Sequence, residues 1–60
     1  MTVMELAKVM GDQPIQVIHE SSGKTGFGGR ASEVWGHVVT AEVLRVDATS
    51  RRDVIKIWID

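Results

Sequence analysis

The segment 22–25, Ser-Gly-Lys-Thr, contains the Gly-Lys-Thr with which a phosphate-binding loop ends. In such a loop, backbone N–H groups and the lysine hold the phosphate oxygens. The full motif requires a glycine five residues before Gly23, where Ile18 stands instead. No long helical pattern follows Thr25 that could direct a helix N-terminus at a phosphate. We therefore interpret 22–25 as a polar loop.

A second glycine pattern, at residues 26–31, fits the loose dinucleotide-binding form G-x-G-x-x-A, with Asp47 further along the chain. The dinucleotide fold needs a parallel sheet with crossover helices, which 60 residues cannot supply. We expect these glycines to form turns or to let another backbone approach closely. Whether the glycine-rich loop 23–29 binds a ligand stays open.

His19, Glu20 and His37 could form a zinc site if strands at 14–20 and 37–47 are paired. Their spacing matches no known ligand motif, so we expect neither a metal ion nor a cofactor. The serines have no nucleophile motif around them. A domain of 60 residues also has difficulty enclosing a substrate pocket. The sequence therefore predicts a protein that is not an enzyme.

The chain begins with clear helix signals. Thr2 and Glu5 have the spacing of a capping box, and Gly11 is placed to end the helix. The apolar residues between them repeat at helical spacing, which gives the helix one apolar face. These signals predict a helix over 2–11, with an apolar face made of Val3, Leu6, Ala7 and Met10.

The remaining pattern predicts strands at 14–20, 37–47 and 53–60, with a bulge near Glu42 or Val43. The glycine-rich stretch 21–29 is expected to be a loop or a wide hairpin connection. Residues 31–35 could add a short helical turn, and 48–52 a polar turn that joins the last two strands in a hairpin. The fold class is α+β: one domain, 1–60, with the N-terminal helix packed on a three-stranded, mainly antiparallel sheet.

The last strand has two different faces. Ile55, Ile57 and Ile59 share one face, which we expect to contact the helix. Val54, Lys56 and Trp58 share the other face and would form an exposed apolar patch. A core this small barely balances chain entropy, and the chain has no cysteine for a disulfide. We therefore predict a homodimer, through face-to-face sheet packing or edge-to-edge strand addition.

Besides Trp58, the chain has two aromatic residues, Phe27 and Trp35. We expect Trp35 to close one end of the core. We expect Phe27 and Arg30, on the glycine-rich loop, to be exposed for contact with a partner. The predicted partner or dimer interface therefore consists of Trp58, Val54, Lys56, Phe27 and Arg30.

Charge and hydropathy restrict the partner class. The formal net charge is −1 and the basic residues are scattered, so a nucleic-acid partner is disfavoured. No apolar run approaches the ~20 residues that span a bilayer, and no signal peptide is visible. We expect a cytoplasmic protein that does not enter a membrane. Two alternatives stay open: a nucleic-acid-binding accessory protein, and a protein that sequesters a small molecule or nucleotide against 26–30 at a dimer seam. The first would use Lys24, Arg45, Arg51 and Arg52.

The order of these segments resembles short proteins carried by bacteriophages and prophages of Gram-positive bacteria. The resemblance lies in the opening Met-Thr-Val-x-Glu-Leu, the Pro-Ile-x-Val at 14–17, the glycine-rich loop, the Ala-Ser-Glu-Val at 31–34 and the final apolar strand. It implies a small accessory protein made in a bacterial host. The function that we expect is binding to a host protein and modulating it, with inhibition of a host defence system as one form.

Overall fold

A computed structural model describes residues 1–48 and 53–60 of the chain. It is an α+β fold with one α-helix and a mixed sheet of four strands. Two short 3-10 turns lie between the second and third strands. In chain order, the elements are α1 (Val3–Met10), β1 (Pro14–His19), β2 (Thr25–Arg30), the 3-10 turns Ala31–Glu33 and Gly36–Thr40, β3 (Val43–Asp47) and β4 (Ile55–Ile59).

The helix α1 begins and ends as the sequence predicts. The Thr2 hydroxyl accepts a hydrogen bond from the Glu5 backbone N–H, and the Glu5 carboxylate accepts one from the Thr2 N–H. These reciprocal bonds satisfy two N–H groups that the first turn leaves without helical partners. At the other end, Gly11 adopts a φ of 61° and donates its N–H to the Ala7 carbonyl. A residue with a side chain rarely adopts that backbone conformation.

The strand order in the sheet is β2-β1-β4-β3. The two central strands, β1 and β4, are parallel, with Ile15 beside Ile55 and Val17 beside Ile57. Each outer strand is antiparallel to its inner neighbour. The sheet is thus two hairpin-type pairs joined along a parallel central seam.

The core lies between one face of this sheet and the layer formed by α1 and the 3-10 turns. Ile57, Ile59 and Val17 are completely buried on the sheet side, and Val3 is completely buried on α1. Leu6 and Met10 pack against this cluster from the helix. The predicted orientation of the last strand is therefore confirmed for Ile57 and Ile59, while Ile55 is half-buried.

The glycine-rich segment is a strand where the sequence predicts a loop. Residues 25–30 form β2, which pairs with β1 through partners such as Val17 with Phe27. Glycine has low strand propensity, so composition conceals this strand. Gly26 has a packing role, because a Cβ at this position would lie 2.9 Å from Nε2 of His19 and 2.9 Å from Cγ1 of Val38.

The predicted strand 37–47 is wrong in its first half. Residues 36–40 form a 3-10 turn that buries Val38 in the core, and β3 begins only at Val43. The β-branched composition of 37–43 favours a strand locally, but Gly36 has a φ of 84° and turns the chain out of an extended path. The predicted bulge is present one residue later than expected, because the register with β4 shifts between Val43 and Arg45.

The prediction of a three-stranded, mainly antiparallel sheet is corrected to four strands with a parallel centre. The error arises because a single sequence does not show which strands are neighbours when they are far apart in the chain. The predicted antiparallel pairing of the last two strands is confirmed for β3 and β4. The short helical turn predicted at 31–35 is found as the 3-10 turn at 31–33. Residues 49–52 of the predicted polar turn lie outside the described residues.

Candidate functional site

The sheet face turned away from α1 carries Trp58, as the alternation along β4 predicts. In the parallel register Trp58 lies beside Ile18, and in the antiparallel register it lies beside Arg45. Lys56 lies on the same face, beside Gln16 of β1. We call this surface the open face, and define it by Gln16, Ile18, Arg45, Lys56 and Trp58.

Neighbouring side chains partly cover Trp58. The guanidinium carbon of Arg45 lies 4.5 Å from the centroid of a Trp58 ring, within cation–π range. A nitrogen of the same guanidinium lies 3.5 Å from a carboxylate oxygen of Glu20. Ile18 is only 5% exposed, although it lies outside the core cluster of the helix side. Trp58, Lys56 and the flanking Val54 are half-buried, so the chain itself already covers part of the predicted interface.

The more exposed tryptophan is Trp35. It is 76% exposed, whereas the sequence predicts that it closes the core. It lies between the two 3-10 turns, with an extended backbone, and Gly36 follows it at a positive φ. This local conformation turns the indole away from the core, which Val38 fills instead. The sequence carries no periodic signal at Trp35, so its exposure could not be predicted.

An apolar groove lies beside Trp35 along the chain. Its volume is about 190 Å³, and its walls come from α1 and from the segment 31–34. Met4 is 42% exposed in one wall, Lys8 adds a cation, and the other wall contains Val34. The lining residues are Met4, Ala7, Lys8, Ala31, Ser32 and Val34. We use "helix-side surface" for this groove together with Trp35.

Phe27 and Arg30 differ from each other in exposure. Phe27 is half-buried and packs against the core, so it is not the exposed contact residue that the sequence predicts. Arg30 is exposed at the end of β2, as predicted. The reason for the difference is the strand itself, because β2 directs Phe27 to the helix side of the sheet beside Val17.

Two of the three candidate metal ligands come together. The Nε2 atoms of His19 and His37 are 3.4 Å apart, and the two rings are nearly parallel, with an angle of 8° between their planes. The third candidate, Glu20, makes its ion pair with Arg45 instead. The pair arises from packing of the second 3-10 turn on β1, and not from pairing of 14–20 with 37–47, the condition considered for a zinc site. Among the described residues, no group of three or more His, Cys, Asp or Glu side chains is arranged to hold a metal ion.

Two of the four basic residues considered for nucleic-acid binding, Lys24 and Arg45, lie within the described residues and are far apart in the sheet. Lys24 lies in the turn before β2, at one outer edge of the sheet. Arg45 lies on β3, at the opposite edge, and contacts Glu20 and Trp58. Arg51 and Arg52 lie outside the described residues. The phosphate-loop-like segment 22–25 is a turn in which the Lys24 N–H donates to the Ser22 hydroxyl.

The amino-terminal segment is attached to the outer edge of β3. Met1 accepts a hydrogen bond from the Val43 N–H at 2.8 Å, and Thr2 forms an isolated antiparallel bridge with Glu42. The Met1 ammonium lies 3.0 Å from a Glu42 carboxylate oxygen. This bond and the charge of Glu42 raise the pKa of the amino group, and the bond from the Thr2 backbone N–H lowers the pKa of Glu5.

The fold and its surfaces define a small α+β protein with one helix on a mixed four-stranded sheet. Comparison of the chain with protein-family models, with curated proteins and with solved structures gave no match. Within residues 1–48 and 53–60, no helix has the length and apolar character needed to cross a membrane.

Proposed function

We propose that this protein is a non-catalytic interaction protein that binds and modulates another protein, and that it acts as a homodimer. The observation that carries the proposal is the exposure of Trp35, which follows the groove residue Val34 in the chain. Tryptophan is among the residues most enriched in binding hot spots, and exposed apolar surface of sufficient size marks interaction sites.

The chemistry of the helix-side surface indicates what it binds. The groove has room for one apolar side chain, and Trp35, the residue after Val34 of its wall, offers a flat, exposed apolar surface. Lys8, at the wall of the groove, favours a carboxylate on the partner. A protein segment that presents an apolar side chain with an acidic neighbour fits these three features together. Methionine in the wall suits such a role, because its flexible side chain adapts to the shape of a partner.

The partner class comes from the resemblance to phage and prophage proteins. It makes a protein of the bacterial host the expected target and the host cytoplasm the expected location. Inhibition of a host defence system is the form of modulation that this origin favours. The helix-side surface would mediate host binding, and a different part of the molecule would mediate pairing of two copies.

Capture from bacterial lysate, followed by binding of the purified target, tests this proposal. Trp35→Ala removes the exposed indole, and Val9→Ala is the matched control, because Val9 is 81% exposed on α1 and does not line the groove. We expect Trp35→Ala to weaken target binding at least 10-fold, as truncation of a hot-spot residue does. Val9→Ala should bind like the wild type.

One combination of results would overturn the proposed surface. If Trp35→Ala keeps wild-type affinity and Trp58→Ala loses it, the target binds the open face. Circular dichroism of both variants separates loss of binding from loss of folding. Because Trp35 is largely solvated, Trp35→Ala should retain the wild-type unfolding midpoint.

A further inference from the structure

Within residues 1–48 and 53–60, no strand pairs with the outer edge of β3 beyond Val43. β3 is one of the two outer strands of the sheet, and the amino-terminal segment covers its edge only as far as Val43. Beyond that point Leu44 is 53% exposed and Val46 is 48% exposed. An outer strand with exposed apolar side chains is a template for pairing with another strand.

The open part of this edge is short and has defined limits. Met1 and Thr2 occupy the edge at residues 42 and 43, and the bulge at Leu44 interrupts the regular strand. The regular residues that remain are 45 to 47, with Val46 at the centre. A strand from outside can therefore pair with residues 45 to 47 without displacing the amino-terminal segment.

The residues of this short segment are complementary to themselves. In an antiparallel pair of identical strands with the two-fold axis at Val46, Val46 of one copy lies opposite Val46 of the other. Arg45 of each copy then lies opposite Asp47 of the other copy. Directly opposed residues share one face of the sheet, so these opposite charges are neighbours on the open face. Leu44 of each copy then lies opposite Ala48 of the other.

We propose that β3 is the dimer interface of this protein, with two copies pairing antiparallel about an axis through Val46. The inference shares with the proposed function only the expectation that the protein is a homodimer. Of the two modes of dimerisation, it selects edge-to-edge strand addition and not face-to-face sheet packing. A two-fold interface must be self-complementary, and the order Arg-Val-Asp satisfies that condition. The paired sheets would form one continuous sheet of eight strands, with both open faces on the same side.

The other outer strand is a poorer interface. β2 contains Gly26, Gly28 and Gly29, which have no side chains to bury against a second copy. Gly29 also has a φ of 152°, at the margin of the conformations that other residues adopt. Pairing through β2 would thus supply backbone hydrogen bonds with little apolar contact. Pairing through β3 would supply backbone hydrogen bonds as well, and its exposed side chains Leu44 and Val46 would add apolar contact.

Charge reversal gives a direct test by sedimentation velocity over a range of protein concentration. Arg45→Asp places aspartates opposite each other, and Asp47→Arg places arginines opposite each other. We expect each single variant to dimerise at least 10-fold more weakly than the wild type. An equimolar mixture of the two variants should form a heterodimer, because every opposed pair is again of opposite charge. The double variant R45D/D47R should recover the wild-type dimer for the same reason.

Each other outcome contradicts the β3 interface. The proposal fails if the wild type is monomeric at all concentrations, if the single variants dimerise like the wild type, or if mixing them restores nothing. Loss of the dimer in Trp58→Ala, with the charge variants unaffected, assigns dimerisation to the open face. Since Arg45 also contacts Glu20 and Trp58, heterodimer formation serves as the control for folding of the Arg45→Asp chain.

The test separates this inference from the proposed function. A charge variant that has become monomeric still carries Trp35 and the groove. If it captures the same target, host binding stands and the dimer is a separate property. If wild type and variants dimerise as expected but none captures a target, the β3 interface stands and the proposed function fails.

Discussion

Contacts with neighbouring side chains restrict which residue type can occupy a position in this small protein, and Gly26 is the clearest case. The space beside its Cα is filled by the His19 ring and by Val38. His19 is a flexible side chain whose ring can rotate away, whereas Val38 is 1% exposed and has no free space to move into. Gly26 is thus required for close packing of the second 3-10 turn on β2.

Gly26→Ala should lower the free energy of unfolding by about 1–3 kcal/mol, the usual cost of forcing an extra carbon into a packed core. Gly28→Ala is the matched control, because it is in the same strand and a Cβ there meets nothing within 4 Å. The control should be neutral or stabilising by about 0.4–1 kcal/mol, since alanine reduces the entropy of the unfolded chain. Urea unfolding of both variants measures the difference. Equal stabilities would show that Val38 is not fixed in place.

The residue scale is also where sequence-based prediction fails most. Parity along β4 correctly places Trp58 on the face opposite Ile57 and Ile59. Nothing in the sequence shows that Arg45 contacts its ring, because that contact depends on the register between two strands. The exposure of Trp35 is missed for a similar reason, since a residue between two short turns belongs to no periodic pattern.

At the scale of elements, the helix is specified locally and the sheet is not. Its cap, apolar face and terminating glycine are all within residues 2–11, so the sequence predicts α1 with correct ends. The strand β2 and the 3-10 turn at 36–40 depend on packing between distant segments, and local propensity predicts the wrong element for both.

The cap of α1 provides a prediction for an element. Thr2→Ala removes the hydroxyl that accepts from the Glu5 N–H, so we expect the free energy of unfolding to fall by about 1 kcal/mol. Thr2→Ser keeps the hydroxyl and should be close to the wild type. Thermal or urea unfolding followed by circular dichroism measures both. If the serine variant loses as much stability as the alanine variant, the methyl group rather than the cap is responsible.

The same cap makes stability depend on pH. The pKa of Glu5 is lowered in the folded chain, chiefly by the hydrogen bond from the Thr2 backbone N–H. A group with a lowered pKa stabilises the fold above its unfolded pKa and loses that effect as the pH falls through the folded pKa. We therefore expect the free energy of unfolding to fall in the acid range below the ordinary pKa of a glutamate. The effect should be small, because Glu5 is exposed.

Urea unfolding at a series of pH values measures this dependence. Glu5→Gln should flatten the acid limb, while Glu33→Gln, at another exposed glutamate, should leave it in place. An unchanged acid limb in Glu5→Gln would assign the dependence to other carboxylates. The amino group of Met1 has the opposite sign: its raised pKa stabilises the fold below its unfolded pKa, and the effect is lost as the pH rises through the folded value.

At the scale of the whole molecule, we propose separate roles for two surfaces and one strand edge. The helix-side surface would bind the target, and the β3 edge would join two copies. The open face, with Trp58 already contacted by Arg45, would extend across both copies. The sequence predicts the existence of an interface from the small core and the surplus of apolar residues. It wrongly places Trp35 at the end of the core, where the structure leaves this side chain 76% exposed, because exposure depends on the complete fold.

The parallel seam between β1 and β4 affects how the chain reaches its fold. Its partners, such as Ile15 with Ile55, are separated by most of the chain, whereas the other pairings join segments that are nearer in sequence. Pairing of β1 with β4 closes a loop of most of the chain, which costs conformational entropy before core contacts stabilise the fold. We therefore expect this pairing to set the folding rate. Until it occurs, the β1–β2 and β3–β4 pairs each present an unpaired inner edge. The chain is therefore most prone to aggregate during that search, before its central strands meet.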